Sequence, residues 1–518
     1  MRAAAAALLL AGCGPATLGI QVDLVTVSCP GAADPRSGVA TLRFKLTGDG
    51  FAPLSPDPVP FSSGTAQIPH VPIGANRRLT VDGLDSAGRV RARADSGKFD
   101  ALGPADVHLR LFLRPVDQVT LTSDAAGNCT HMSRKRAAHA MTLLPDGRVL
   151  VTGGYDTTTD SSGTVTFNYL ADAEIYDPSA GSFTPVSAHL SAPRALHSAV
   201  AVSGGTLGNA VFVAGGQGPV NNSVTAIQAF EVWSGAAWTQ VSGGASPARE
   251  HHASAVDLKK GYAVLAGGQA GPDKVGVQVY DTASYFDLSQ MRDAVQPLRM
   301  GALADAVAVA RAKPRGGVML VGGHDASGKV LPQISGLIWS DDFGDYADDT
   351  VYRDTTRFVL PSPRAHHVAL LLEDDTVLTA GGVTALGLGA FDYSNATAEV
   401  TLIDPLGVAV NDVGTLSQAR ADACAARLQD GTVLVAGGAY RDPSGAHSAR
   451  NVDLVTGLAG TWHVQPPGGG DGMLRDARHR AACVTLNDGS VLVTGGQQYR
   501  TGGLDALDSA EIYTPVGN

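Results

Sequence analysis

Charge is scarce in this chain. Asp, Glu, Lys and Arg make up only 17% of its 518 residues, and the balance is acidic, with 49 acids against 38 bases and a net charge of −11. The missing basic excess excludes a protein that neutralises nucleic-acid phosphates. Aromatics are few, at 6%, and there are five cysteines. After the first dozen residues no apolar run approaches the ~18 residues that a membrane helix needs. No serine-triad motif occurs, and no phosphate-binding glycine loop that opens a helix. What the chain has is glycine: 63 Gly and 28 Pro, without a collagen period. With 44% hydrophobic residues it can build a large core, which excludes wholesale disorder. Such a composition fits many turns and short strands. The length fits several domains, or one repeat array with an appendage.

The N-terminus reads as an export signal. Met1-Arg2 is followed by small and apolar residues from Ala3 to Ala11 and then by Gly12-Cys13. One positive charge, a short apolar stretch and small residues at a cut site have that meaning. Leu10-Ala11-Gly12-Cys13 resembles a bacterial lipobox. The resemblance implies a signal peptide over 1–12, a lipidated Cys13, a tether over 13–19 and a membrane held through a lipid anchor. By the family's sorting rule Gly14 favours the outer membrane or cell surface. Two acyl chains or more would anchor stably, at about 0.8 kcal/mol per buried CH₂. An exported chain permits disulfides. Cys29, Cys129, Cys424 and Cys483 allow three connectivities, of which Cys29–Cys129 with Cys424–Cys483 is the expected one.

A glycine pair closes an apolar run seven times, at Gly153-Gly154, Gly215-Gly216, Gly267-Gly268, Gly322-Gly323, Gly381-Gly382, Gly437-Gly438 and Gly495-Gly496. Successive spacings are 62, 52, 55, 59, 56 and 58 residues. Arg136, Arg364, Arg420 and Arg478 each stand 17 residues before their pair, and Arg194, Arg249 and Arg299 take the same role at other spacings. Asp146-Gly147, Asp430-Gly431 and Asp488-Gly489 lie between the two apolar runs, a hairpin signal. A third run such as Ala173–Pro178 and a following aromatic, such as Phe183 or Trp238, complete the unit. In these features the chain resembles the kelch repeat family. The resemblance implies an all-β, seven-bladed β-propeller over 116–518. The last repeat has no fourth strand of its own. The segment around Val116–Thr122, within 116–133, is expected to supply it and to cover the open edge. Residues 20–115 lack the repeat and alternate apolar with polar residues, which suggests a small immunoglobulin-like β-sandwich.

In an antiparallel blade the Arg loop and the post-glycine loop share a face. Arg136, Arg194, Arg249, Arg364, Arg420 and Arg478, with Tyr155, His324 and Gln497, are therefore the candidate ligand-binding residues. Guanidinium groups bind carboxylates, so an acidic peptide or glycan is the expected ligand. The same arginines could instead pair with Glu174, Glu231, Glu399 or Glu511. His139, His197, His252 and His367 start inner strands and read as packing residues rather than metal ligands. The five-Asp run Asp341–Asp349 reads as a solvated loop, since its spacing misses a calcium loop. Galactose oxidase shares the architecture, but its copper site needs a Tyr followed by His, a dipeptide this chain lacks. The sequence thus points to an exported, lipid-anchored binding module for a protein or glycan, without cofactor, metal or nucleic acid. A carbohydrate-active enzyme, galactose-oxidase-like or resembling a sialic-acid mutarotase, is the alternative.

Overall fold

The computed structural model describes residues 17–517, apart from 62–64, 104–105, 204–208, 222, 242–245, 272–277, 288–291, 299–300, 312–315, 341–344, 349–357, 388–391, 459, 469–471 and 502. Cys13, Arg299 and most of the five-Asp run lie outside the described residues. Of that run, Asp345–Asp348 is a strand paired with Ile334–Ser340 rather than a loop. Every regular element among the described residues is a strand. The chain divides into two compact units, one of 1–28 with 33–116 and one of 29–32 with 117–518.

The first unit holds a three-stranded and a six-stranded sheet. Thr17–Val25 lies between Thr65–Pro72, antiparallel, and Val107–Phe112, parallel. Leu18, Ile20 and Val22 from the smaller sheet and Phe44, Leu79 and Val81 from the larger share one buried core. Period-two alternation explains the arrangement, because each strand gives one face to that core.

The second unit is built from seven four-stranded antiparallel sheets. Their inner strands are, in order, Ala140–Leu143, Ser198–Ser203, Ala253–Val256, Val307–Ala310, Val368–Leu371, Cys424–Arg427 and Ala482–Thr485. Each second strand, such as Val149–Thr152 or Val433–Ala436, is buried on both faces, which is why it reads as an unbroken apolar run. The inner strands neighbour one another in sequence order, and the seventh neighbours the first, so the sheets form a closed, propeller-like cycle. The seventh sheet takes its outer strand from Gln118–Leu121, which pairs with Ala510–Thr514.

The glycine pairs hold this cycle together. The second glycine of each pair donates its N–H to a carbonyl at the Arg position of the next sheet: Gly154 to Arg194, Gly216 to Arg249, Gly268 to Leu303, Gly323 to Arg364, Gly382 to Arg420, Gly438 to Arg478 and finally Gly496 to Arg136. Both glycines have positive φ, +56° and +91° at Gly153 and Gly154. A Cβ there would lie 2.5 Å from the Arg194 carbonyl or 2.8 Å from that of Ala137. Only glycine meets both demands. The fourth repeat corrects one expectation, because Leu303, not Arg299, occupies the Arg position. Two disulfides, Cys29–Cys129 and Cys424–Cys483, lie within this unit, and the second joins the inner strands of the sixth and seventh sheets.

Candidate functional site

The arginines are not where a ligand could reach them. Arg136, Arg194, Arg249, Arg364, Arg420 and Arg478 are each 0% exposed. Five meet a carboxylate of their own sheet: Arg136–Glu174 at 2.5 Å, Arg194–Glu231 at 2.6 Å, Arg364–Glu399 at 2.7 Å, Arg420–Asp453 at 2.8 Å and Arg478–Glu511 at 2.5 Å. The acid often serves twice. Glu174 also accepts from the Ser133 N–H, Glu231 from Ser191 and Glu511 from Arg475. Arg249 meets no carboxylate among the described residues and donates instead to the Gly267 and Thr282 carbonyls and Ser284 Oγ. Burial pushes its guanidinium down to about 10. This layer welds loop to sheet, and the expected cationic mouth is replaced by internal ion pairs.

The histidines that start inner strands are also internal. His139 Nε2 lies 2.8 Å from Thr494 Oγ1, His197 Nε2 2.9 Å from Thr152 Oγ1 and His252 Nε2 3.0 Å from Ser198 Oγ, each pair crossing to the preceding sheet. Burial pushes His139, His252 and His367 down to about 3, so they pack as neutral rings.

The convergence that the sequence reading missed lies two residues after each Arg position. Ala138, Leu196, His251, Asp305, His366, Asp422 and Arg480 occupy equivalent places, one per sheet, and all have φ between +50° and +55°. Non-glycine residues rarely adopt this region. Backbone bonds between sheets hold it: Leu196 N–H donates to Ala138 O, Asp305 to His251, Asp422 to His366, Arg480 to Asp422, and Ala138 to Arg480 across the closure.

Five of these residues carry titratable side chains, and they meet across sheet boundaries as an arc. His251 Nδ1 lies 2.5 Å from Asp305 Oδ1. Asp305 Oδ2 faces His324 Nε2 at 3.2 Å and His366 Nε2 at 3.6 Å. His366 Nδ1 lies 3.2 Å from Asp422 Oδ1. Asp422 Oδ2 accepts from Arg480 Nε at 2.9 Å and from the Tyr393 hydroxyl at 2.7 Å. Burial opposes charge on Asp305, but His251 and His366 outweigh it and hold the carboxyl well below its usual range. Burial is likewise outweighed at Asp422 by Arg480 and His366. At His366 burial is outweighed by Asp305 and Asp422, which push the ring up to about 9. His324 is raised by Asp305 in the same way. Two carboxylates thus face Arg480 and a protonated His366. Among the described residues no group of three or more His, Cys, Asp or Glu is arranged to hold a metal ion. Asp305 itself fills the space between its histidines.

Beside the arc is a neutral network. The Tyr155 hydroxyl donates to Gln497 Oε1 at 2.9 Å, and Gln497 Nε2 lies 2.8 Å from His479 Nε2. Ser448 Oγ lies 2.8 Å from His479 Nδ1. Burial pushes His479 down to about 3, so its ring is neutral, accepting at one nitrogen and donating at the other. Tyr499 stacks on it at 4.9 Å. Of the candidates from sequence, then, Tyr155 joins Gln497, and His324 joins Asp305. Four further hairpins follow glycine pairs, at Tyr155–Thr159 with Val165–Tyr169, Gln217–Val220 with Ser223–Ala226, Ala439–Asp442 with Gly445–Ser448, and Gln497–Arg500 with Gly503–Ala506. They belong to the first, second, sixth and seventh sheets, which are consecutive round the cycle. Thr157 Oγ1 accepts from the Ala506 N–H at 2.6 Å, so two of these hairpins stand side by side.

No family model matches the chain, and no curated protein does. Among the solved structures that match is one titled "Structure of YjhT", over 65% of this chain and 99% of that one, at 15% identity and a TM-score of 0.46.

Proposed function

We propose that this chain is an exported, lipid-anchored protein in which a seven-bladed kelch-type propeller, preceded by an immunoglobulin-like sandwich, acts as a non-catalytic binding module for a glycan or protein. The observation that carries the binding reading is the state of the arc. Asp305 and Asp422 are held ionised, and His366 is held protonated to about 9. General acid–base catalysis works best with a group that titrates near the working pH. A proton taken by either carboxylate would break its pairing with His251, His366 or Arg480, and His366 gives its own proton up reluctantly. A polar array fixed in one charge state orients a ligand better than it transfers protons.

The second reading, a carbohydrate-active enzyme, draws on one observation: carboxylate, histidine and arginine converge in the arc. The two readings part experimentally. The chain beginning at Gly14 is screened on a glycan array and as bait in envelope pull-downs, and bound sugars are recovered and analysed. Retention of unaltered glycan or protein is the expected result. Recovery of an oxidised, cleaved or epimerised sugar would replace this reading by the enzymatic one. For the anchor, metabolic labelling with an alkynyl fatty acid is expected to mark the full chain and to be lost in Cys13→Ala. Equal labelling of both removes the lipid anchor.

A further inference from the structure

Resting on the binding reading above, we propose that the Asp305–His366–Asp422–Arg480 arc is the floor of a site for a neutral saccharide, held through adjacent hydroxyl groups.

The first argument is one of equivalence. The seven positions share one backbone conformation, yet two of them carry Ala138 and Leu196. The fold therefore accepts an apolar side chain there. Burying charge in such a place is costly, and a buried ion pair is weak evidence for stability. Titratable side chains on five consecutive sheets, with ion pairs between them, are more than the architecture asks for, which points to a ligand.

The second argument concerns sign. Along the arc negative and positive groups alternate: Asp305, His366, Asp422, Arg480. A ligand with net charge of either sign would meet repulsion from half of it. Adjacent hydroxyls both donate and accept, so one can give its proton to a carboxylate while its neighbour accepts from an imidazolium or guanidinium. The arginines that would have drawn an acidic ligand are consumed in internal pairs.

The third argument is access and free capacity. The side chains of His366 and Asp422 keep 17% and 12% of their surface exposed. Among the described residues Asp422 Oδ1 faces His366 alone, although a carboxylate oxygen takes two partners. The Tyr499 hydroxyl is buried with no hydrogen-bond partner among the described residues, and its ring stacks on neutral His479. A hydroxyl left unsatisfied beside a hydrogen-bonding floor is one that a sugar hydroxyl would pair.

The test uses the full chain, calorimetry and three probe classes: neutral hexaoses of glucose and mannose, acidic oligogalacturonate with sialyllactose, and a polyglutamate peptide. Variants are Asp422→Asn, which keeps the shape but removes the charge, and Tyr499→Phe, which removes only the unpaired hydroxyl. Binding of a neutral hexaose, weakened at least about tenfold by Asp422→Asn and severalfold by Tyr499→Phe, supports the site. Should Asp422→Asn not fold, Tyr499→Phe decides alone. Neutral binding that neither variant alters, or preference for the acidic probes, overturns the inference and leaves the binding reading standing. Retention of no glycan and no protein ends both.

Discussion

Two layers of equivalent positions lie two residues apart in the repeats, and they differ in kind. The outer layer is uniform. Six repeats place an Arg with 0% exposure before the inner strand, and five of those meet an acid of the same sheet. The inner layer is varied, running through Ala138, Leu196, His251, Asp305, His366, Asp422 and Arg480 on one shared backbone. Its contacts cross from sheet to sheet. In a cyclic array a feature present in each unit serves the unit, whereas one that changes round the cycle marks a direction. The uniform arginines are architecture, and the varied arc is where a site can be specific.

The largest expected effect tests the outer layer. Arg136→Ala strands Glu174 in the interior, and breaking a buried pair by removing one partner costs about 3–5 kcal/mol. Urea unfolding should show this as a clear fall in midpoint. A midpoint within error of the parent would mean that the layer does not hold the sheets, and the contrast between layers would collapse.

Next in size is the covalent link. Cys424–Cys483 closes a loop of 59 residues between neighbouring inner strands. Replacing both by Ser should cost about 2–4 kcal/mol, read from the same unfolding curve under non-reducing conditions. The arc's ligand response should persist. Its loss together with the disulfide would show that the arc depends on this seam rather than on its own contacts.

The smallest effect separates the layers by pH. His366 is raised from its ordinary 6.5 to about 9 in the folded chain. Its contribution is therefore fully present below about 6.5 and disappears as pH rises through about 9. Asp305 and Asp422 are shifted the opposite way, so theirs is present above the usual carboxylate range and is lost only in stronger acid. In the outer layer burial brings Arg249 down to about 10, at the alkaline edge of that window. Unfolding free energy should thus decline between neutrality and pH ~9–10, and His366→Gln should flatten that decline. An unchanged slope in the variant would place the alkaline sensitivity elsewhere.

Much of this frame is legible in the sequence. The glycine pairs reveal themselves because their need for positive φ and close approach excludes other residues. The strand Gln118–Leu121, paired with Ala510–Thr514, answers a shortage visible in the last repeat. The Cys424–Cys483 pair follows the same logic of neighbouring strands. What could not be read was the meaning of the arginines. A guanidinium before a strand looks the same in sequence whether it points outward or finds Glu174 38 residues away. The arc was hidden for another reason. Asp305 and Asp422 belong to different repeats and meet through His366 only because the cycle brings their loops together. A signal was nevertheless present: a variable, chemically rich position inside a constant frame. Leu303 is not legible in sequence because the visible mark of the repeat is a residue type, Arg, whereas the structure preserves a carbonyl.

The borrowed strand of the seventh sheet has a consequence for how the molecule is made. Thr120 finds its partner Ile512 392 residues later. During synthesis that early strand must wait, its edge unpaired, while six sheets emerge and settle. An edge left open so long invites wrong pairing. The ring can therefore shut only after Ala510–Thr514 has left the ribosome, and a product cut short before that point would carry a permanent gap that chaperones and proteases can recognise.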